Sequence, residues 1–207
     1  MPIRSNSNPF VSKKCSSFAA MIPFETIDNS WTLFLDRDGV LNRDKEGDYI
    51  RNVGEFVLLP GADTAVALFN KIFGITVVAT NQKGVGKGLM TLADLGQIHD
   101  LLQQHLQAAG GKIDKIYFAP DLDNASPNRK PNHGMALQAQ HDYPQIDFTK
   151  SIMVGNRLSD MQFGRNAGMY TVFVATTHPE TPFPHTLIDA RYDSLIAFAD
   201  HLALTKH

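Results

Sequence analysis

A chain of 207 residues with 43% hydrophobic content can bury one full core and is short for two complete domains. A formal charge of −2, from 19 Lys plus Arg against 21 Asp plus Glu, gives no sign of a polyanion-binding surface, although it leaves room for a local basic patch, and nucleic acid is not an expected partner. The one cysteine, Cys15, excludes an internal disulfide and a cysteine-based zinc site, and no apolar run approaches the roughly 20 residues that cross a bilayer.

In chain order, the opening stretch "MPIRSNSNPFVSKKCSSFAAMIPF" has basic residues but no continuous hydrophobic segment, so it is read as a loose arm and not as a signal peptide. Residues 1–28 are expected to be this flexible arm, with Met21 as an alternative start, and residues 29–207 the folded domain. "WTLFLD" (31–36) is a short apolar run with a polar stop, as a buried strand requires. A helix is predicted over 61–72, then a strand at "GITVVAT" (74–80). "GVGKG" (84–88) lacks the spacing of a phosphate-binding P-loop, because Asn81 stands where its first glycine belongs and Gly88 follows Lys87 in place of Ser or Thr. Thr91 is the expected N-cap of a helix over 91–109, whose apolar positions 92, 95, 98, 101, 102 and 106 follow helical spacing. "KIDKIYFAP" (112–120), a helix over 132–142, "SIMVG" (151–155), a helix over 158–167, "YTVFVAT" (170–176) and a helix near 193–204 complete the series.

Five strands separated by helices imply right-handed crossovers and a parallel sheet covered on both faces. The expected fold is α/β, a three-layer sandwich on a five-stranded Rossmann-like sheet, with its ligand beyond the carboxyl ends of the strands. Those ends carry Asp36-Arg37-Asp38-Gly39, then Thr80-Asn81-Gln82, then Gly155-Asn156 with Asp160 one turn on, while Arg129-Lys130 precedes the helix before the fourth strand. Residues i and i+2 of an extended chain share a face, so Asp36 and Asp38 can address one reacting centre.

"FLDRDGVLN", "ATNQKGVGKGLMT", "RKP" and "MVGNRLSDMQFGRNAGM" occur in order across residues 31–176, and the chain there resembles the haloacid dehalogenase superfamily. Val40 and Asn42 are similar to the heptose bisphosphate phosphatases of that group more than to its histidinol-phosphate phosphatases. The resemblance implies a nucleophile at Asp36, which forms an aspartyl-phosphate, and a general acid and base at Asp38, a task suited to a carboxyl of raised pKa. It implies Mg²⁺ on the Asp36 carboxylate, the Asp38 carbonyl and a fourth-motif acid, with Thr80 and the amide of Asn81 holding phosphoryl oxygens and Arg129 and Lys130 supplying positive charge. That fourth-motif acid is Asn156 here, which removes one negative charge, while Asp160 remains as a second metal-site residue, acting through water. Residues 43–59 are too few for a cap domain and are expected to form a small hairpin flap, a minimal cap from which Arg51 or Tyr49 contacts substrate. Near relatives carry a Cys/His zinc loop before "RKP", and "APDLDNASPNRKP" has neither residue type. The eight histidines are scattered, each expected at the surface or half-buried.

The expected function is therefore a Mg²⁺-dependent phosphatase of a small phosphorylated metabolite, a sugar phosphate such as D-glycero-D-manno-heptose 1,7-bisphosphate. The alternatives are a histidinol-phosphate phosphatase and a metal-impaired homologue that binds a phosphorylated ligand without turnover. The enzyme is expected in the cytoplasm, as a monomer or weak homodimer, with no membrane partner.

Overall fold

The computed structural model describes residues 21–206. Strand β1 (Thr32–Leu35) leads to helix α1 (Ala62–Phe69), β2 (Ile75–Asn81), the four-residue α2 (Lys83–Gly86), α3 (Leu92–Ala108) and β3 (Lys115–Ala119). Then come α4 (Gly134–Asp142), β4 (Ser151–Gly155), α5 (Leu158–Ala167), β5 (Tyr170–Val174), β6 (Ala190–Tyr192) and α6 (Leu195–Leu204). All strands are parallel, in the order β3-β2-β1-β4-β5-β6.

Every residue of β1 is buried, as a central parallel strand with both faces covered demands. Alternation divides it between two cores: Leu33 and Leu35 pack with residues of α1, α3 and α6, whereas Phe34 packs with Met135 of α4 and Phe163 of α5. Helix α3 begins at the expected cap, where Thr91 Oγ1 accepts from Asp94 N at 3.1 Å and Asp94 Oδ2 accepts from Thr91 N at 2.8 Å. Its buried stripe is Leu95, Ile98, Leu102 and Leu106, while Leu92 is exposed.

Three expectations are corrected. The sheet has six strands, the sixth being the edge segment Ala190–Tyr192, all half-buried and too short to leave an apolar run. The segment 43–59 contains no strand: a single antiparallel bridge, Asn42 to Leu58, closes its base, and its returning arm holds a 3₁₀ turn over Val53–Glu55. The flap is thus a closed loop and not a hairpin. Finally, the folded unit starts before residue 29. Ile22 and Ile27 are 6% and 2% exposed within the larger core, and Lys206 Nζ donates to the carbonyls of Phe24 and Glu25 at 2.8 and 3.0 Å. Two isoleucines flanking a 3₁₀ turn carry no periodicity, which is why the sequence did not mark them. The remainder of the expected arm, residues 1–20, lies outside the described residues. Among the described residues no helix is long and apolar enough to cross a membrane.

Candidate active site

The strand order reverses direction between β1 and β4, so the crossovers leaving those strands diverge and open a crevice at their carboxyl ends. A cavity of about 660 Å³ lies there, walled by Asp36, Asp38, Thr80, Asn81, Arg129, Lys130 and Asp160 among the expected site residues. Asp44, Lys45, Asp48 and Tyr49 of the flap form part of its wall, with Gln82, Lys83, Asn124 and Arg157.

Asp36 continues β1, its amide donating to Val154 O at 2.9 Å, and its side chain is 9% exposed. Lys130 Nζ stands between two carboxylates, 2.8 Å from Asp36 Oδ1 and 2.7 Å from Asp160 Oδ1. Burial pushes the Asp36 carboxyl up, and the charges of Asp160 and Asp38 add to this against the pull of Lys130. Burial acts on Lys130 in the opposite sense, but Asp160 and Asp36 outweigh it and hold the ammonium above its ordinary pKa. The lysine backbone is clamped by Asn81, whose Oδ1 accepts from Lys130 N at 3.0 Å and whose Nδ2 donates to Lys130 O at 3.1 Å. Asp160 also receives the Arg157 amide at 3.0 Å, at the start of α5. Only glycine fits at position 155, because a Cβ there would lie 2.2 Å from that of Asp160.

Asp38 is surrounded by donors. Arg37 Nη2 reaches Asp38 Oδ1 at 2.9 Å and Oδ2 at 3.0 Å, Asn42 Nδ2 reaches Oδ1 at 2.9 Å, and Gln82 Nε2 reaches Oδ2 at 2.9 Å. Burial would raise this carboxyl, yet the Arg37 charge and these hydrogen bonds together hold it below the ordinary range. The expected raised pKa at Asp38 is therefore corrected. Arg37 is itself fully buried, and its Nη1 lies 3.1 Å from His99 Nε2 on α3. Arg37, Gln82 and His99 were given no role from sequence. Gln82 was visible at the end of β2, but nothing local in α3 signals that His99 reaches the β1 turn.

Two expected residues are not part of the cavity wall. The Arg51 guanidinium pairs with Asp48, its amide donates to Glu55 Oε2 at 3.0 Å, and it is not part of the cavity wall. Flap acids close in sequence captured the charge that was expected to meet substrate. Asn156 is fully buried behind the wall: its Nδ2 donates to Thr177 Oγ1 at 2.6 Å, and its Oδ1 has no hydrogen-bond partner. It packs on Gly39, where φ is 81° and a Cβ would lie 2.0 Å from Asn156 Nδ2, so glycine is required twice over.

The Hydrolase_like family model, described as HAD-hydrolase-like, matches residues 127–182. The D-glycero-alpha-D-manno-heptose-1,7-bisphosphate 7-phosphatase of Mycobacterium bovis is 38% identical over 176 residues, covering 84% of this chain and 93% of that protein. The chain belongs to the haloacid dehalogenase superfamily. Its similarity extends to the D-glycero-D-manno-heptose-1,7-bisphosphate 7-phosphatase of Chlorobaculum tepidum, 30% identical over 83% of this chain and 96% of that one. The crystal structure of the D,D-heptose 1,7-bisphosphate phosphatase of Bordetella bronchiseptica, complexed with magnesium and phosphate, superposes with a TM-score of 0.75 at 31% identity, over 84% of this chain and 98% of its own.

Within this superfamily member the donors available to a hard cation are all oxygens, the type Mg²⁺ prefers. Asp36 and Asp160 supply carboxylates, and the orphaned Asn156 Oδ1 is a buried acceptor suited to a cation. No group of three His, Cys, Asp or Glu side chains among the described residues is arranged to hold a metal. Two carboxylates with the orphaned amide oxygen nevertheless fit Mg²⁺, at a site lean in negative charge.

Proposed function

We propose that this chain hydrolyses a sugar bisphosphate, D-glycero-D-manno-heptose 1,7-bisphosphate, as a Mg²⁺-dependent phosphatase. The observation that carries the reading is the buried Asp36–Lys130–Asp160 arrangement on the cavity floor, in a chain whose relatives are named phosphatases of that sugar.

Asp36 Oδ attacks phosphorus; the bond from Asp36 to phosphorus forms as the ester bond breaks, and the leaving oxygen takes a proton carried by Asp38. Water then attacks the aspartyl-phosphate, passes its proton to Asp38 and releases inorganic phosphate with Asp36 free, so the proton lent in the first step is returned in the second. The donors around Asp38 make it a strong acid when protonated and stabilise the carboxylate left after donation. Lys130 screens Asp36 from the charge of its incoming substrate, and Thr80, the Asn81 amide and Arg129 bind phosphate oxygens. The residues that would hold Mg²⁺ are Asp36, the Asp38 carbonyl and Asn156 Oδ1, with Asp160 through water, and the ion would supply charge cancellation between nucleophile and phosphate.

A second reading, a homologue that binds phosphorylated ligands without turnover, is favoured by the neutral Asn156. Steady-state phosphate release from heptose 1,7-bisphosphate, other sugar phosphates and histidinol phosphate, with and without Mg²⁺, separates the two. Mg²⁺-dependent turnover with the heptose preferred supports the first; preference for histidinol phosphate overturns the substrate, and no turnover of any ester overturns the enzyme.

A further inference from the structure

We infer that His99 is a positioning residue for the reaction, acting through the buried Arg37 guanidinium to hold the Asp38 carboxylate in place. This rests on the phosphatase reading above. Arginine has donors only, so the 3.1 Å contact requires His99 Nε2 to accept and the imidazole to be neutral, with its proton on Nδ1. The ring is lodged against Phe118, 6.1 Å between centroids, and burial with the Arg37 charge pushes its pKa down to about 3, in keeping with a neutral ring.

Arg37 is 0% exposed, so each N–H it fails to place on a partner is an unsatisfied buried donor. His99 takes Nη1, leaving Nη2 and Nε to engage Asp38, with Nε 3.2 Å from Oδ1. Without the acceptor, Nη1 gains by turning the planar group toward another oxygen or water, and the fork leaves Asp38. The carboxylate then keeps only Asn42 and Gln82, both single contacts that permit rotation. Helix α3 thus reaches the reaction centre through one side chain that never touches substrate.

The test is steady-state kinetics of His99→Leu, His99→Gln and wild type on the same phosphate ester with saturating Mg²⁺. His99→Leu is expected to lose roughly 10- to 100-fold in kcat, the size of a misplaced reacting group, with KM little changed. His99→Gln, whose amide oxygen accepts, should recover most of that loss. Placed on Asp38→Asn, His99→Leu should cost nothing further, because the group it positions is gone. If His99→Leu does not fold, His99→Phe, which keeps a ring against Phe118 but has no acceptor for Arg37, should give the same kcat loss and the same non-additivity. An active wild type with unchanged kcat in His99→Leu, or with losses that add to Asp38→Asn, overturns the positioning role alone; an inactive wild type overturns the phosphatase reading and this role with it.

Discussion

Lys130 Nζ and Asp36 Oδ1 form an ion pair at 2.8 Å with side chains 2% and 9% exposed. One cation there faces two carboxylates, since Asp160 lies 2.7 Å away on its other side. Removing one member of a buried pair strands a charge in a poor solvent. Lys130→Met is therefore expected to lower stability by about 3–5 kcal/mol in urea titrations. Asp36→Asn leaves Lys130 paired with Asp160, so it should unfold near wild type while losing all turnover. Mg²⁺ should raise the Tm of Lys130→Met more than that of wild type, because the cation replaces the missing charge and binds only the folded form. A Lys130→Met protein as stable as wild type would show that the carboxylates do not depend on this lysine.

Arg129 and Arg51 were both expected at the substrate, and the fold distinguishes them. Arg129 lines the cavity, with Nε donating to Asn124 Oδ1 at 3.0 Å, while Arg51 is paired with Asp48 in the flap. Arg129→Ala should raise KM roughly tenfold or more, as loss of a charge-assisted phosphate contact does. Arg51→Ala should change KM by less than about twofold, since exposed pairs contribute little. Equal KM effects in the two variants would count against this assignment.

The contrast shows what can be read from a chain of residues. Strands such as "TLFL" are buried on both faces, so composition alone marks them, and the acids at their ends follow from the topology. Asp36, Lys130 and Asp160 were legible because each sits at a strand end or helix start that periodicity locates. Edge strand β6, the core contacts of Ile22 and Ile27, and the capture of Arg51 by Asp48 depend on what tertiary neighbours do. His99 is the extreme case: it meets Arg37 across 62 residues of sequence.

Its environment sets a pH dependence. The ordinary imidazole value of 6.5 falls to about 3 in the folded chain, through burial first and the Arg37 charge second. Between those values the unfolded chain binds a proton at this site that the folded one refuses, so stability present above pH 6.5 is lost as pH falls toward 3. His99→Gln has no proton to bind in either state. Urea unfolding at steps from pH 7 to pH 4 should therefore show a shallower acid decline for His99→Gln than for wild type. Parallel declines would mean that the ring is protonated in the fold and that Arg37 is not its donor.

Asn156 raises the question of metal affinity. Its Nδ2 is committed to Thr177 Oγ1, and its Oδ1 is a buried acceptor with nothing to accept from, an arrangement that costs stability unless a cation completes it. An amide oxygen brings a dipole where a carboxylate would bring a full charge, so the site should need more Mg²⁺ to fill. Asn156→Asp is sterically the mildest change available, and the Thr177 hydroxyl can rotate from accepting to donating to suit it. The added charge should lower the Mg²⁺ concentration for half-maximal activity roughly tenfold or more, a modest share of a close charge pair's attraction. Calorimetric Mg²⁺ titration, which needs no turnover, should show the same shift. Wild type inactive at every Mg²⁺ level beside an active Asn156→Asp would make the chain a binding homologue that has lost turnover through this one residue. Unchanged Mg²⁺ affinity in both measurements would mean that Asn156 Oδ1 does not face the cation, and that Asp36 and Asp160 hold it without help from the end of β4.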